Sequence, residues 1–308
     1  MRLTLSQQLT FGAPQRLLSL TRRLMRLSHA TAVLAFAGLV MQSAAAQREG
    51  SFDRTLTVSG AVDLNVETGS GRIEVRPGDS SSVRIHAVIR AHDDFFGGEE
   101  ARIHEIETNP PISQTGNSIR ISMPQDDWLR RHVSIEYDLV VPSDTRLRAH
   151  TGSGSESVEG IHGPVELQTG SGSVTVARVD DEVRVQTGSG RIELDAIKGK
   201  VDAHTGSGTI EGSVIGGPIN AHTGSGSMRL EQTAPGPLEA HTGSGGVNVR
   251  LPHEAAFDLY AHTGSGHVYV DHPITVHGNL GGHEIQGKVN GGGALVDVRT
   301  GSGSVRIE

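Results

Sequence analysis

The chain has 308 residues, of which 41 are glycine, none is cysteine and only 3% are aromatic. A core without aromatic area has to be filled by small apolar side chains in a narrow, regular interior, and the absence of cysteine excludes disulfides and thiolate metal sites. A net charge of −8 disfavours nucleic acid and anionic lipid as principal partners.

At the N-terminus, Arg22, Arg23 and Arg26 precede an apolar stretch from Ala30 to Met41, and Ala44-Ala45-Ala46 offers a cleavage site. This is the three-part layout of a secretory signal, with an apolar run too short to span a bilayer. Residues 1–46 are therefore expected to be removed, leaving a mature chain without a membrane span. Met25 is an alternative initiation site to Met1. The leader carries five arginines and no acid, so its loss takes the net charge to −13. The protein is expected to be exported, to the periplasm, the cell envelope or the medium.

Residues 47–144 read as an irregular, β-rich N-terminal cap. Ala61 to Val75 alternates around a Thr-Gly-Ser-Gly turn like a hairpin. Val83–Ala91, Ser118–Met123 and Val133–Val141 have strand patterns, and Glu99–Glu107 can form a short helix.

Residues 145–308 are repetitive. Thr-Gly-Ser-Gly starts at Thr68, Thr151, Thr169, Thr187, Thr205, Thr223, Thr242, Thr263 and Thr300, and from Thr151 the spacings are 18, 18, 18, 18, 19, 21 and 37. The gap of 37 has room for two periods, with Leu280 to His283 in place of a turn. Four and two residues before each threonine stand apolar residues (Val183 and Val185, Val201 and Ala203), and so do five and seven after it (Ile192 and Leu194), with polar residues between. Period-two alternation gives two half-buried strands per repeat. Val179, Ile197 and Ile215 are expected to form a third inward wall. No single repeat buries its apolar edge alone, so the copies must stack. The expected fold is all-β: a right-handed parallel β-solenoid of about nine coils, roughly 43 Å long at a strand spacing of ~4.8 Å. Glycine at the corner answers a need for angles, often of positive φ, that a Cβ opposes. Stacked in sequence order, the coils would end on an open strand at Val305 to Glu308, free to pair with another chain.

The segment from Ile135 to Pro142, leading into Leu147 and the serial Thr-Gly-Ser-Gly units, resembles a bacterial family of adhesin-like proteins of unknown function. The likeness covers nearly all of the mature chain. It implies a β-solenoid of the bacterial envelope and transfers no catalytic residues.

The residue before each threonine forms an outward row: His150, Gln168, Gln186, His204, His222, His241, His262 and Arg299. Histidines on successive coils, about 5 Å apart with carboxylates two positions back, supply a donor set for zinc. His204, His222, Glu239, His241 and His262 are the candidate ligands, with His222, Glu239 and His241 the best trio, against the alternative of a solvated polar ladder. Tyr260 and Tyr269, expected to face outward from one coil, are candidate glycan contacts. The function that follows is a non-enzymatic cell-envelope scaffold or adhesin-like binding protein presenting a rigid face. Its partner would be an envelope glycan, a protein or a further copy paired through the C-terminal edge. The alternatives are a β-helical polysaccharide-active enzyme, which needs carboxylates converging in a groove, and a metal-binding envelope protein using the histidine row.

Overall fold

The computed structural model describes residues 49–91, 98–276 and 282–308; the leader and the export signal lie outside these. Each repeat contributes one strand to each of two sheets. Strands that carry the corner threonine supply nine strands of a 13-stranded leading sheet, and strands that follow the corner supply nine strands of a 12-stranded trailing sheet. Equivalent strands pair in parallel and in register. Val183 to Thr187 lies between Val165–Thr169 and Val201–Thr205 with no slip, and Ile192 to Leu194 lies between Val174–Val176 and Ile210–Gly212. The register follows from the pattern, because a one-residue slip would turn each apolar set out to solvent. Leu147, Val165, Val183, Val201, Ile219 and Leu238 thus form one inward row, each at most 3% exposed.

Val179, Ile197 and Ile215 are fully buried, yet they form no separate wall. Each ends its trailing-sheet strand after a left-handed residue (Arg178, Ala196 or Val214, φ 53–55°) that swings the next side chain inward.

The corners show why the repeat is Thr-Gly-Ser-Gly. The threonines point inward and are buried. Thr187 Oγ1 donates to the Gly172 carbonyl of the preceding coil at 3.0 Å and accepts from the Gly190 amide of its own corner at 3.0 Å. Thr169 and Gly154, and Thr205 and Gly190, repeat the donation. A Cβ on Gly190 would lie 1.7 Å from the Gly172 carbonyl oxygen, and one on Gly188 2.3 Å from that of Gly170. In these central coils contact between stacked backbones excludes a side chain. Positive φ adds to that exclusion at Gly71, Gly245, Gly266 and Gly303.

Thr68 belongs to the same stack. Val62–Thr68 pairs with Thr145–Thr151, while Ile73–Pro77 lies in the other sheet beside Glu156–Glu159. The expected hairpin is therefore a coil, its two strands in different sheets. Beyond it the trailing sheet continues through Val133–Val141, then antiparallel Ser82–Ala91 and Glu49–Thr57, with the helix Glu99–Thr108 packed against the last two.

At the other end the order of coils departs from chain order. Ala294–Ser302 is inserted between Leu238–Ser244 and Phe257–Ser265, and Val305–Ile307 between Val247–Arg250 and Val268–Val270. The chain leaves a gap one coil wide, builds the coil beyond it, and returns to fill the gap. Thr300 Oγ1 donates to Gly245 O at 2.8 Å and Thr263 Oγ1 to Gly303 O at 2.7 Å, so the corner ladder runs through the insertion. The expected free C-terminal edge does not exist: both sides of Val305–Ile307 are paired, and the trailing sheet ends on Val268–Val270. Nor does the gap of 37 hold a second regular period. Ile274–Val276 and Glu284–Val289 form an antiparallel pair, the latter lying antiparallel on Phe257–His262. Leu280 and Gly281 are outside the described residues.

One inward position breaks the apolar pattern. Glu156 stands in register with Ile73 and Val174, is 1% exposed, and neither carboxylate oxygen has a hydrogen-bond partner. Burial pushes its pKa up to about 8. Tyr137, on the other side of Ile73, likewise has a buried, unpartnered hydroxyl whose ionisation burial suppresses.

Two stability predictions follow from these contacts. Gly190→Ala should destabilise the fold by about 3 kcal/mol through overpacking. Gly246→Ala, where the nearest atom to a new Cβ is 3.5 Å away, should be nearly neutral in the same denaturant titration. Glu156→Val should raise the melting temperature. A carboxyl whose pKa is higher folded than unfolded costs stability progressively as pH rises from about 4.5 towards 8, so the gain should be larger at pH 8 than at pH 4.

A candidate functional site on the leading sheet

The outward face of the leading sheet collects the histidines. Its corner-adjacent row reads His204, His222, His241, Arg299, His262, and the row two residues back reads Asp202, Asn220, Glu239, Asp297, Tyr260. In-register pairing places both rows, since residues two apart share a face. The inserted strand changes the site in two ways. Arg299 separates His241 from His262, so three histidines are contiguous where the sequence suggests four. Asp297, remote from this group in the chain, comes to lie beside Glu239.

Within the row the rings differ in orientation. His204 and His222 stack in parallel, centroids 5.0 Å apart and planes 2° from coincidence, whereas His222 and His241 meet edge to face at 5.1 Å and 86°. His204 Nε2 is engaged by Asp202 Oδ1 at 2.6 Å and His222 Nε2 by Asn220 Oδ1 at 2.7 Å. Glu239 Oε1 lies 3.7 Å from His222 Nε2 and 3.3 Å from His241 Nδ1. On its other side, His241 Nε2 is buried and 3.3 Å from Asp297 Oδ1, outside hydrogen-bond alignment. Asp297 is held by two hydrogen bonds from Arg299, from Nε at 2.7 Å and Nη2 at 2.5 Å.

Of the five candidate ligands, the fold brings His222, Glu239 and His241 together, with one potential donor atom from each within 4.8 Å of the others. His204 stacks on His222, with its Nε2 engaged by Asp202. His262 lies beyond Arg299, its nearest acid Glu284 at 3.8 Å.

Tyr260 and Tyr269 do not act together. The Thr263 corner lies between them, so Tyr260 is in the leading sheet and Tyr269 in the trailing sheet. Arg299 covers the first ring at 4.8 Å and Arg306 the second at 5.2 Å, so no single sugar is gripped by both.

The trailing sheet has a second feature that the apolar pattern passes over. At Gly212 the inward row lacks a side chain and the register shifts between Gly212 and Ile215. A depression of about 320 Å³ lies here, lined by residues that include Glu193, Asp195, Glu211, Arg229, Glu231 and Arg250.

Two stacked sheets joined by repeated glycine corners define the class as a two-sheet parallel β-solenoid. The chain belongs to the Toastrack DUF4097 family, whose model matches residues 62–308. Solved structures similar to it include a Clostridium sporogenes protein described as a candidate cell adhesion protein (14% identity, 84% of this chain and 99% of that one, TM-score 0.27). Another is a candidate adhesin from Bacteroides fragilis (12% identity, 84% and 97%, TM-score 0.43). No curated protein matches the sequence.

Partial burial, and then the neighbouring His204 and His241, hold the His222 pKa below the ordinary 6.5. The fold favours the neutral ring, so the stability it contributes is present above pH 6.5 and is lost as pH falls through the depressed value. In a ¹⁵N-edited NMR titration His222 should protonate below 6.5 and move back towards it in His204→Gln. A midpoint at or above 6.5 in the unsubstituted protein would contradict this account.

Proposed function

We propose that this protein is a non-enzymatic binding scaffold of the cell envelope, adhesin-like in role, whose rigid sheet faces hold an envelope glycan. The observation that carries the reading is the paired, in-register stacking of coils from Thr68 to Thr263, which fixes the outward side chains on a surface with little freedom to rearrange. Preorganisation of this kind lowers the entropic cost of binding. The depression at Gly212 suits sugar hydroxyls. Arg229 lies by Glu211 at 3.9 Å and Arg250 by Glu231 at 3.9 Å, and with Glu193 and Asp195 they offer both donors and acceptors. Glu156, the carboxyl with the pKa suited to general acid chemistry near neutrality, is sealed inside the coil and reaches no groove. Export of the mature chain from residue 47 is part of this proposal. Among the described residues no helix is long and apolar enough to cross a membrane.

Binding of the purified protein to isolated envelope fractions tests the reading. We expect retention that is lost when the fraction is treated with glycan-degrading enzymes and weakened by Glu211→Ala/Arg229→Ala. Retention lost only on protease treatment would replace the glycan with a protein partner, and no retention on any envelope fraction would overturn the scaffold role.

A further inference from the structure

The leading-sheet cluster carries a separate inference. We propose that His222, Glu239 and His241 form a zinc site, with Asp297 and Arg299 as its supporting layer. Two imidazoles and one carboxylate are a donor set that zinc accepts in tetrahedral sites with one position left open. The spacing fits. Metal–ligand distances of about 2.1 Å at tetrahedral angles put neighbouring donor atoms about 3.4 Å apart, and Glu239 Oε1 lies 3.3 Å from His241 Nδ1 and 3.7 Å from His222 Nε2. The remaining edge, between the two histidines, is within 4.8 Å and has to shorten when the ion binds.

A flat row of parallel side chains points its lone pairs outward and converges on nothing. The edge-to-face pair His222 and His241 escapes that limit, and the parallel pair His204 and His222 does not. His204 is therefore excluded although it is next in the row. The surroundings of His241 resemble the outer layer of a metal site, where a carboxylate fixes the tautomer of a ligating imidazole. With Nδ1 turned to Glu239, the opposite nitrogen lies 3.3 Å from Asp297, which is itself clamped by Arg299. A small rotation brings this buried, unpartnered nitrogen into line with the carboxylate. His222 must exchange its bond to Asn220 Oδ1 (2.7 Å) for the metal. Three protein donors leave a fourth position for water or for a donor from a partner.

Isothermal titration of the purified protein with zinc chloride at pH 7.5 tests the site, with Co²⁺ absorption as a readout of geometry. We expect one saturable ion per chain and tetrahedral cobalt bands. Glu239→Gln, which keeps the side chain's size, and His222→Ala should each weaken zinc binding at least tenfold, and Asp297→Asn roughly tenfold. His204→Ala should bind as the unsubstituted protein does. No saturable binding, octahedral cobalt bands, or unchanged affinity in Glu239→Gln and His222→Ala would overturn the proposal. Its outcome is independent of glycan retention, which rests on the opposite sheet.

Discussion

Each corner carbonyl of the second glycine accepts a hydrogen bond from the threonine hydroxyl of the coil stacked on it, and the rest of the structure depends on this contact. The interaction brings two backbones so close that a Cβ at Gly172, Gly190 or Gly208 would fall within 2 Å of an oxygen. That closeness pins the coils in register. Register places the apolar rows inside and the polar rows outside, so the composition of the core and the alignment of outward side chains both follow from one corner. At Thr151, Thr169 and Thr187 the hydroxyl serves both directions, donating to the previous coil and accepting from its own corner. A buried polar group thereby avoids the cost of an unmade bond.

Much of this was legible in the residues. The two strands per repeat, their inward rows and the strand Val133–Val141 all follow from alternation, and the number of corners from counting threonines. The order of the last two coils was not. Every repeat offers the same inward pattern and the same corner, so nothing local distinguishes Thr300 stacked beyond Thr263 from Thr300 inserted before it. The spacing of 37 admits the insertion, but does not specify it. Glu156 stands where the other coils carry Val174, Ile192 and Ile210; a misfit in the repeat was the signal, and alignment on apolar positions passes over it.

The histidine row shows the same division. That His222, Glu239 and His241 share a face is a matter of spacing, and the sequence was enough to bring them together. Whether their donor atoms converge depends on side-chain rotation, which period-two reasoning cannot supply. The parallel stack at His204 and the perpendicular pair at His241 occupy equivalent in-register positions on successive coils and have opposite chemical prospects. Asp297 and Arg299 reach the site only through the inserted strand, so their part in it was as hidden as the insertion itself.

The insertion also bears on how the molecule assembles. Along most of the stack each strand pairs with one 18 positions away, a short-range closure that proceeds as the chain emerges. Val305 must instead find Val247 and Val268, 58 and 37 positions back. Long-range closures of this sort slow folding. The Thr263 coil has no strand pairing to the coils before it until Ala294–Ser302 and Val305–Ile307 arrive. A chain cut short would lose an internal layer together with the seat of the coil beyond it. The strands Ala294–Ser302 and Val305–Ile307 therefore serve as the keystone of this part of the stack, and a nascent molecule keeps an open gap until they are delivered.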